Sequence, residues 1–339
     1  MPQSVVLVTG ATGMVGNYMV RRLLEIGYQV RVMVRPASDT RSLKGLAVQR
    51  VEGDLTRPET LQTPLLGVDY VVHAAAHVGD WGPVENYRAI NVFALEHLLT
   101  AAERAGRIRR WIQISSLGVY QARHHFGTDE TVDIGIKGLD GYTQTKVEAE
   151  WLLQQHMDRQ KLPIVIVRPG FIYGPGDRHV VPRLLERISK GKMKMIGDGH
   201  CLLNNTYVGN LVDAVLLSME KDIAIGEIFN VRDDRLVTRV EFIGTIADYM
   251  GKPCPGTIPE WLARALARSM EGMARLAGAS ESPLLTQARI KFLTLNLDFS
   301  IAKAKRLLGY QPRFDFQDGI RETFTVPTIL NQPMQREAA

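Results

Sequence analysis

Short runs of apolar and β-branched residues alternate with longer stretches of helical period through the first half of the chain. Residues 4–9, 29–34, 48–52, 69–74, 110–115 and 164–167 are the expected strands. Several are apolar at successive positions, which means burial on both faces and a sheet covered by helices. Between them, residues 14–25, 84–105 and 142–159 place apolar side chains at helical spacing, and Gly27 and Gly106 stand where the first two helices should stop. Repeated strand–helix alternation predicts βαβ units around a parallel sheet, the α/β class.

Beyond Arg168 the pattern breaks, with Pro169, Gly170, Gly174, Pro175 and Gly176 crowded into one loop. The division expected is a sheet domain over 1–168, rejoined by 206–232 through a strand at 227–231. A smaller C-terminal substrate-binding domain comprises 169–205 and 233–330, followed by a tail at 331–339. Residues 259–277 form an amphipathic helix in which Trp261, Leu262, Leu266, Met270, Met273 and Leu276 alternate with Arg264, Arg268, Glu271 and Arg275. Its methionines suit a mobile wall over an apolar pocket. The alternatives are plain packing against the sheet, and arginines that hold the helix on an anionic membrane surface.

Composition narrows the class further. With 45% hydrophobic and 23% charged residues the chain is an ordinary globular protein. No segment approaches the ~18 consecutive apolar residues of a membrane span. Cys201 and Cys254 have no metal-ligand spacing and are read as reduced thiols, which with the absence of a signal segment makes a cytoplasmic location the expectation. The net charge of +5 is scattered, so no nucleic-acid partner is expected, and the densest group, Arg107, Arg109 and Arg110, reads as a solvated helix end. His124 and His125 read as an exposed pair, and no metal is assigned.

Immediately after the first strand, TGATGMVG at 9–16 opens a helix. Gly10 permits a tight turn, Gly13 lets backbone approach a pyrophosphate, and Gly16 lets the helix pack close to the strand. The helix N-terminus offers unpaired N–H groups to the phosphates. This context makes the sheet a Rossmann-type doubly wound one that binds a dinucleotide. At the end of the second strand an acidic residue would bind the adenosine ribose, but Arg35 stands there and suits a 2′-phosphate. NADP(H) is therefore favoured, with NAD(H) the alternative. Asp54 after the third strand is expected to accept from the adenine amino group; an Asx turn is the other reading.

Tyr142 and Lys146 lie four positions apart at the start of a helix, on one face. An ammonium beside the phenol should stabilise phenolate, lowering the pKa of a proton donor.

Taken with their order and spacing, TGATGMVG, Gly53–Leu55 (GDL), HAAA at 73–76, Asn91-Val92, SSLGVY at 115–120, YTQTK at 142–146 and RPGFIYGPGD at 168–177 resemble the extended short-chain dehydrogenases/reductases along almost the whole chain. The resemblance implies a catalytic set of Ser116, Tyr142, Lys146 and Asn91. Ser116 would orient the substrate oxygen, Lys146 would also hold the nicotinamide ribose, and Asn91 would support a water-linked proton path unless it is a helix-surface residue. It further implies a dinucleotide lined by Gly10, Thr12, Gly13, Met14, Val15, Gly16, Arg35, Asp54, Leu55, Ala74, Ala75, Ala76, Tyr142, Lys146, Pro169 and Ile172. Hydride would pass between nicotinamide and a carbonyl carbon while Tyr142 moves the oxygen proton.

Within that family, epimerases and dehydratases of nucleotide sugars are the alternative reading. Dehydratases carry an Asp-Glu pair where Leu117 and Gly118 follow Ser116, and nucleotide-sugar enzymes place asparagine where Phe171 stands. The segments at 75–91, 180–210 and 302–312 are similar to the branch of 3β-hydroxysteroid dehydrogenases, sterol-4-carboxylate 3-dehydrogenases and 2-alkyl-3-ketoalkanoate reductases. Dihydroflavonol reductases share the Val-Arg-x-x-Val-Arg pattern of 30–35. The resemblance therefore implies an oxidoreductase acting on a largely apolar hydroxy or keto compound. Trp81, Tyr87, Phe171, Tyr173, His179 and Val180 are candidates to line its pocket, ordinary core or interface packing being the other reading. A homodimer and association with a membrane surface stay open. Family members that only sense a dinucleotide usually lack the tyrosine or lysine, which this chain keeps.

Overall fold

The computed structural model describes residues 4–325 except 136, 160, 179 and 278–282. Seven strands form one parallel sheet: β1 (Val5–Thr9), β2 (Gln29–Val34), β3 (Val48–Glu52), β4 (Tyr70–His73), β5 (Arg110–Ile114), β6 (Ile164–Pro169) and β7 (Ile228–Val231). Their spatial order is β7-β6-β5-β4-β1-β2-β3. The order reverses between β1 and β4, which opens a crevice at the carboxyl ends of those two strands.

Side chains of period two divide the core into two layers. Val6, Val8, Val32, Ile112 and Val167 face the helices Met14–Glu25 and Val208–Glu220, packing on Met19, Leu23, Leu211 and Val215. Leu7, Val71, Trp111, Ile164 and Ile166 face the opposite way, onto Leu95, Leu98 and Leu99 of Ala94–Ala105 and Leu153 of Gly141–Asp158. Each such fully buried side chain contributes roughly 1.5–3 kcal/mol.

The expected helix over 84–105 is one rod with an internal defect. Val84–Arg88 and Ala94–Ala105 are α-helical, and Ala89–Phe93 between them is a π turn. Gly106 ends the rod in the left-handed region at φ 66°. The second half adds paired short strands around the sheet: His125–Thr128 with Leu297–Phe299, Phe171–Tyr173 with Asn205–Tyr207, and Met195–Ile196 with Thr257–Ile258.

Several expectations fail, for a histidine and an arginine because polar partners hold the side chain inward. His125 is buried, with Nδ1 on Thr128 Oγ1 and Nε2 on the Gln121 carbonyl; its neighbour His124 is exposed. Arg110 is buried inside β5 and reaches Asp222 at 2.8 Å. The stripe on Glu260–Leu276 does not pack against the sheet, since Trp261 is 71% and Met273 63% exposed. Both cysteines are free. Among the described residues no helix is long and apolar enough to cross a membrane, and no cluster of metal-ligand side chains occurs.

Candidate active site

The crevice between β1 and β4 begins with the glycine turn. Gly10 sits at φ +69°, and a Cβ there would meet Ala74 C and Ala75 N at 2.8 Å. Gly16 is fixed by packing too, since its Cβ would lie 2.2 Å from the Gly10 carbonyl oxygen. Gly13 differs. Its φ of −82° suits any residue, and a Cβ would meet nothing nearer than Gly10 O at 3.4 Å. The protein's own packing does not require glycine at 13, and its bare backbone leaves room for a ligand to approach closely. The helix behind it has no side-chain cap and no acidic residue in its first turn, so its N-terminal N–H groups can face an anion.

The ends of β1 and β4 are clamped by Thr9, whose Oγ1 contacts His73 Nδ1 at 2.8 Å and accepts from Ala75 N at 3.2 Å. Burial lowers the His73 pKa to about 3, with the Lys146 charge adding to the effect, so this imidazole is neutral. Ala74, Ala75 and Ala76 continue from β4 as half-buried residues.

Two arginines end the second-strand pattern differently. Arg31 is occupied by Gln49 and by the carbonyls of Pro64 and Leu66. Arg35 is exposed, and its guanidinium has no hydrogen-bond or ion-pair partner among the described residues. Asp54 forms the Asx turn: Oδ1 accepts from Thr56 N at 2.9 Å and Thr56 Oγ1 at 2.8 Å. These bonds, the Thr56 N–H first, hold its carboxyl below the usual range. Thr12, Met14, Val15 and Leu55 lie around the two loops, while Pro169 is buried at the end of β6 and Ile172 is half-buried beyond it.

The catalytic candidates come from three elements. Asp140 caps Gly141–Asp158, with Thr143 N donating to Oδ1 at 2.8 Å and the Thr143 hydroxyl accepting from Asp140 N at 3.0 Å, a reciprocal box that fixes the first turn. Ser116 lies at the end of β5, and its Oγ accepts from Gly118 N at 3.0 Å. Gly118 is small enough for this turn to touch Thr143, where a Cβ would come within 3.0 Å of Cγ2. This places Ser116 beside the first turn of the helix that carries Tyr142. One turn further, Lys146 is buried and donates to the Ile114 carbonyl at 2.8 Å, with its ammonium 5.8 Å from the Tyr142 ring centroid.

The expected lowering of the tyrosine pKa does not occur here. Burial raises Tyr142 to about 12, Asp140 adds to the rise, and the Ser116 hydrogen bond opposes it. Burial lowers Lys146 to about 8, with Glu150 opposing. Desolvation thus sets the direction of both shifts.

Asn91 is neither exposed nor free. It lies buried in the π turn, accepts from His77 N at 2.8 Å, and donates to His77 O and Thr145 Oγ1, each at 3.0 Å. Both amide protons are therefore used in tying the loop after β4 to the turn that carries Lys146.

Two expected pocket residues are structural. Tyr87 is buried and donates to the Trp81 carbonyl at 2.6 Å, its ring wedged between Gly79 and Gly141. Tyr173 is buried with its hydroxyl on Asp233. Phe171, Trp81 and Val180 are half-buried; Phe171 packs edge-on against Phe242, and the Val180 N–H is held by Asp177. His179 lies outside the described residues.

Sequence reasoning missed a buried hub one turn past Lys146. Glu150 is gripped by Arg168 at 2.5 Å and accepts from the Ser115 hydroxyl, and Arg168 donates to the Tyr120 hydroxyl at 2.8 Å. The i, i+4 series of Tyr142, Lys146 and Glu150 was the available signal.

Fold and site together define a Rossmann-type dinucleotide-binding protein of the dehydrogenase kind. The chain belongs to the NAD dependent epimerase/dehydratase family, whose model matches residues 6–231. It is 31% identical to a 3 beta-hydroxysteroid dehydrogenase/Delta 5→4-isomerase of Mycobacterium tuberculosis, over 98% of this chain and 93% of that protein. It is 30% identical to a 2-alkyl-3-oxoalkanoate reductase of Shewanella oneidensis, over 93% of this chain and 84% of that one. A UDP-glucuronic acid 4-epimerase from Bacillus cereus, solved with UDP-glucuronic acid and NAD, superposes with a TM-score of 0.74 at 23% identity, covering 94% of this chain and 97% of that one. That last likeness shows the fold alone.

Proposed function

We propose that the chain is an NAD(P)-dependent dehydrogenase/reductase that interconverts a hydroxyl and a ketone on a largely apolar substrate. The observation that carries this reading is Ser116 beside the first turn of the helix that carries Tyr142, with Lys146 buried one turn further along it. The bare backbone at Gly13 and the uncapped helix fit a pyrophosphate. Gly10, Thr12, Gly13, Met14, Val15 and Gly16 would hold it, with Ala74, Ala75, Ala76, Leu55, Pro169 and Ile172 along the walls. The free oxygen of Asp54 would meet the adenine and Lys146 the nicotinamide ribose.

Bound nicotinamide supplies or accepts the hydride. Ser116 orients the substrate oxygen, and Tyr142, protonated at neutral pH, donates to that oxygen in the direction of reduction. Asn91 acts as a positioning residue. No acid–base pair for removing water follows Ser116, because Leu117 and Gly118 carry no ionisable group. Both named relatives act on compounds with large apolar parts, and the half-buried Phe171, backed by buried Phe242, stands where such a ligand would be met. Residues 169–205 and 233–330 would form the substrate side.

The free guanidinium of Arg35 supports NADP(H) over NAD(H). Arg35→Ala should erase most of that preference, a loss of ~1.5–3 kcal/mol. Titration of both reduced dinucleotides against parent and variant checks it; an unchanged affinity ratio contradicts the assignment. Substrate class is tested by following reduced-dinucleotide oxidation with steroid ketones, 3-oxo fatty acids and UDP-sugars. Turnover confined to the first two is expected, and turnover with UDP-sugars alone contradicts it.

A further inference from the structure

We propose that the helix Glu260–Leu276 docks the protein in the interface plane of an anionic lipid bilayer. Its amphipathicity is inverted. Ala263 and Ala267 are the fully buried positions, packed against Ile196 and Ile290, whereas Trp261, Leu266, Met273 and Leu276 are 71%, 45%, 63% and 91% exposed. A helix that served only the core would bury the large side chains and show the alanines. At ~100° per residue, Trp261, Gly272, Ala265, Leu276, Ser269, Met273 and Leu266 fall within one uncharged arc of about 140°.

The charges around that arc point to one occupant. Exposed Arg268 and Arg275 border it on one side. The two carboxylates of the helix are already engaged: Glu260 pairs with Arg264 at 2.6 Å, and Glu271 accepts from Gln287 N at 2.7 Å. The strand leading into the helix, Thr257–Ile258, pairs with Met195–Ile196, which brings exposed Lys192 and Lys194 to the same end; Lys194 Nζ lies 3.4 Å from where a Gly256 Cβ would be. An exposed tryptophan and long apolar side chains bordered by basic groups match a bilayer's acyl boundary beneath anionic headgroups. No described helix is long and apolar enough to span, so the helix lies flat. Gln287 also donates to the Arg264 carbonyl, and Arg289 two residues on pairs with Asp80 at 2.6 Å, beside Trp81. These contacts tie the inner side of the helix to the loop at Asp80 and Trp81. The docking does not depend on the reductase reading.

The test is cosedimentation of the full chain with phosphatidylcholine vesicles and with vesicles that also contain phosphatidylglycerol. Binding to the anionic vesicles is expected, weakened about tenfold or more by Trp261→Ser with Leu276→Ser and separately by Arg268→Glu with Arg275→Glu. Melting temperature and dinucleotide affinity should stay at parental values, which separates this test from failure of the reductase reading. No binding to either vesicle, or binding that both double variants retain, overturns the proposal. So does a dimer in light scattering that the apolar variant splits without any vesicle binding, which would assign the face to a second copy.

Discussion

Tyr142 and Lys146 show how a short motif can be legible while its electrostatics are not. Their spacing was visible along one helix face, but depth was not, and depth sets the direction of both pKa shifts. Lys146 titrates near 8 when folded against 10.5 for an ordinary lysine, so between those values the unfolded chain binds the additional proton. Its contribution to stability therefore rises with pH across that window. Affinity for the dinucleotide should move the other way, weakening as pH passes about 8 and the ammonium is lost. Binding titrations across that range check this, and Lys146→Met should be weak and flat; a parental slope in the variant contradicts the role. The glycines give a second residue-level expectation. Gly16→Ala should lower the melting temperature because its methyl meets the Gly10 carbonyl, whereas Gly13→Ala should leave stability nearly unchanged and weaken dinucleotide binding. Equal loss of stability in both would remove the argument for ligand approach at Gly13. Tyr87 and Tyr173 read as pocket aromatics because composition carries no sign of which hydroxyl finds a buried acceptor.

At the scale of elements, strand and helix positions followed the apolar periodicity closely, since burial on both faces leaves little freedom in register. The π turn at Ala89–Phe93 was not legible, because it accompanies long-range bonds from Asn91 to His77 and Thr145. The Glu150 hub was hidden for the same reason: its partners come from β5 and β6. It joins the helix of Tyr142 to the strand end before Ser116 and the strand before Pro169. Glu150→Gln should destabilise the fold by roughly 3 kcal/mol, since it leaves Arg168 buried without its counter-charge. Adding Arg168→Met should recover part of that loss. Denaturant unfolding of the two variants measures it, and additive losses would show that the pair is not coupled.

At the scale of the whole molecule, the reversal of strand order between β1 and β4 brings the glycine turn and Ala74 together, while β5 and β6 carry Ser116 and Pro169 to neighbouring strand ends. The family match spans this sheet through β7. The parallel sheet and its glycine turn were readable from the chain; the outward stripe of Glu260–Leu276 was readable as amphipathic, but not which side faces solvent. The central claim is proton transfer by Tyr142 coupled to hydride transfer. The most direct measurement is single-turnover oxidation of the bound reduced dinucleotide by an apolar ketone in the parent and in Tyr142→Phe. The account predicts a rate lower by roughly 10²-fold or more with dinucleotide affinity retained. A variant rate within about threefold of the parent, far below what loss of a general acid costs, would contradict it.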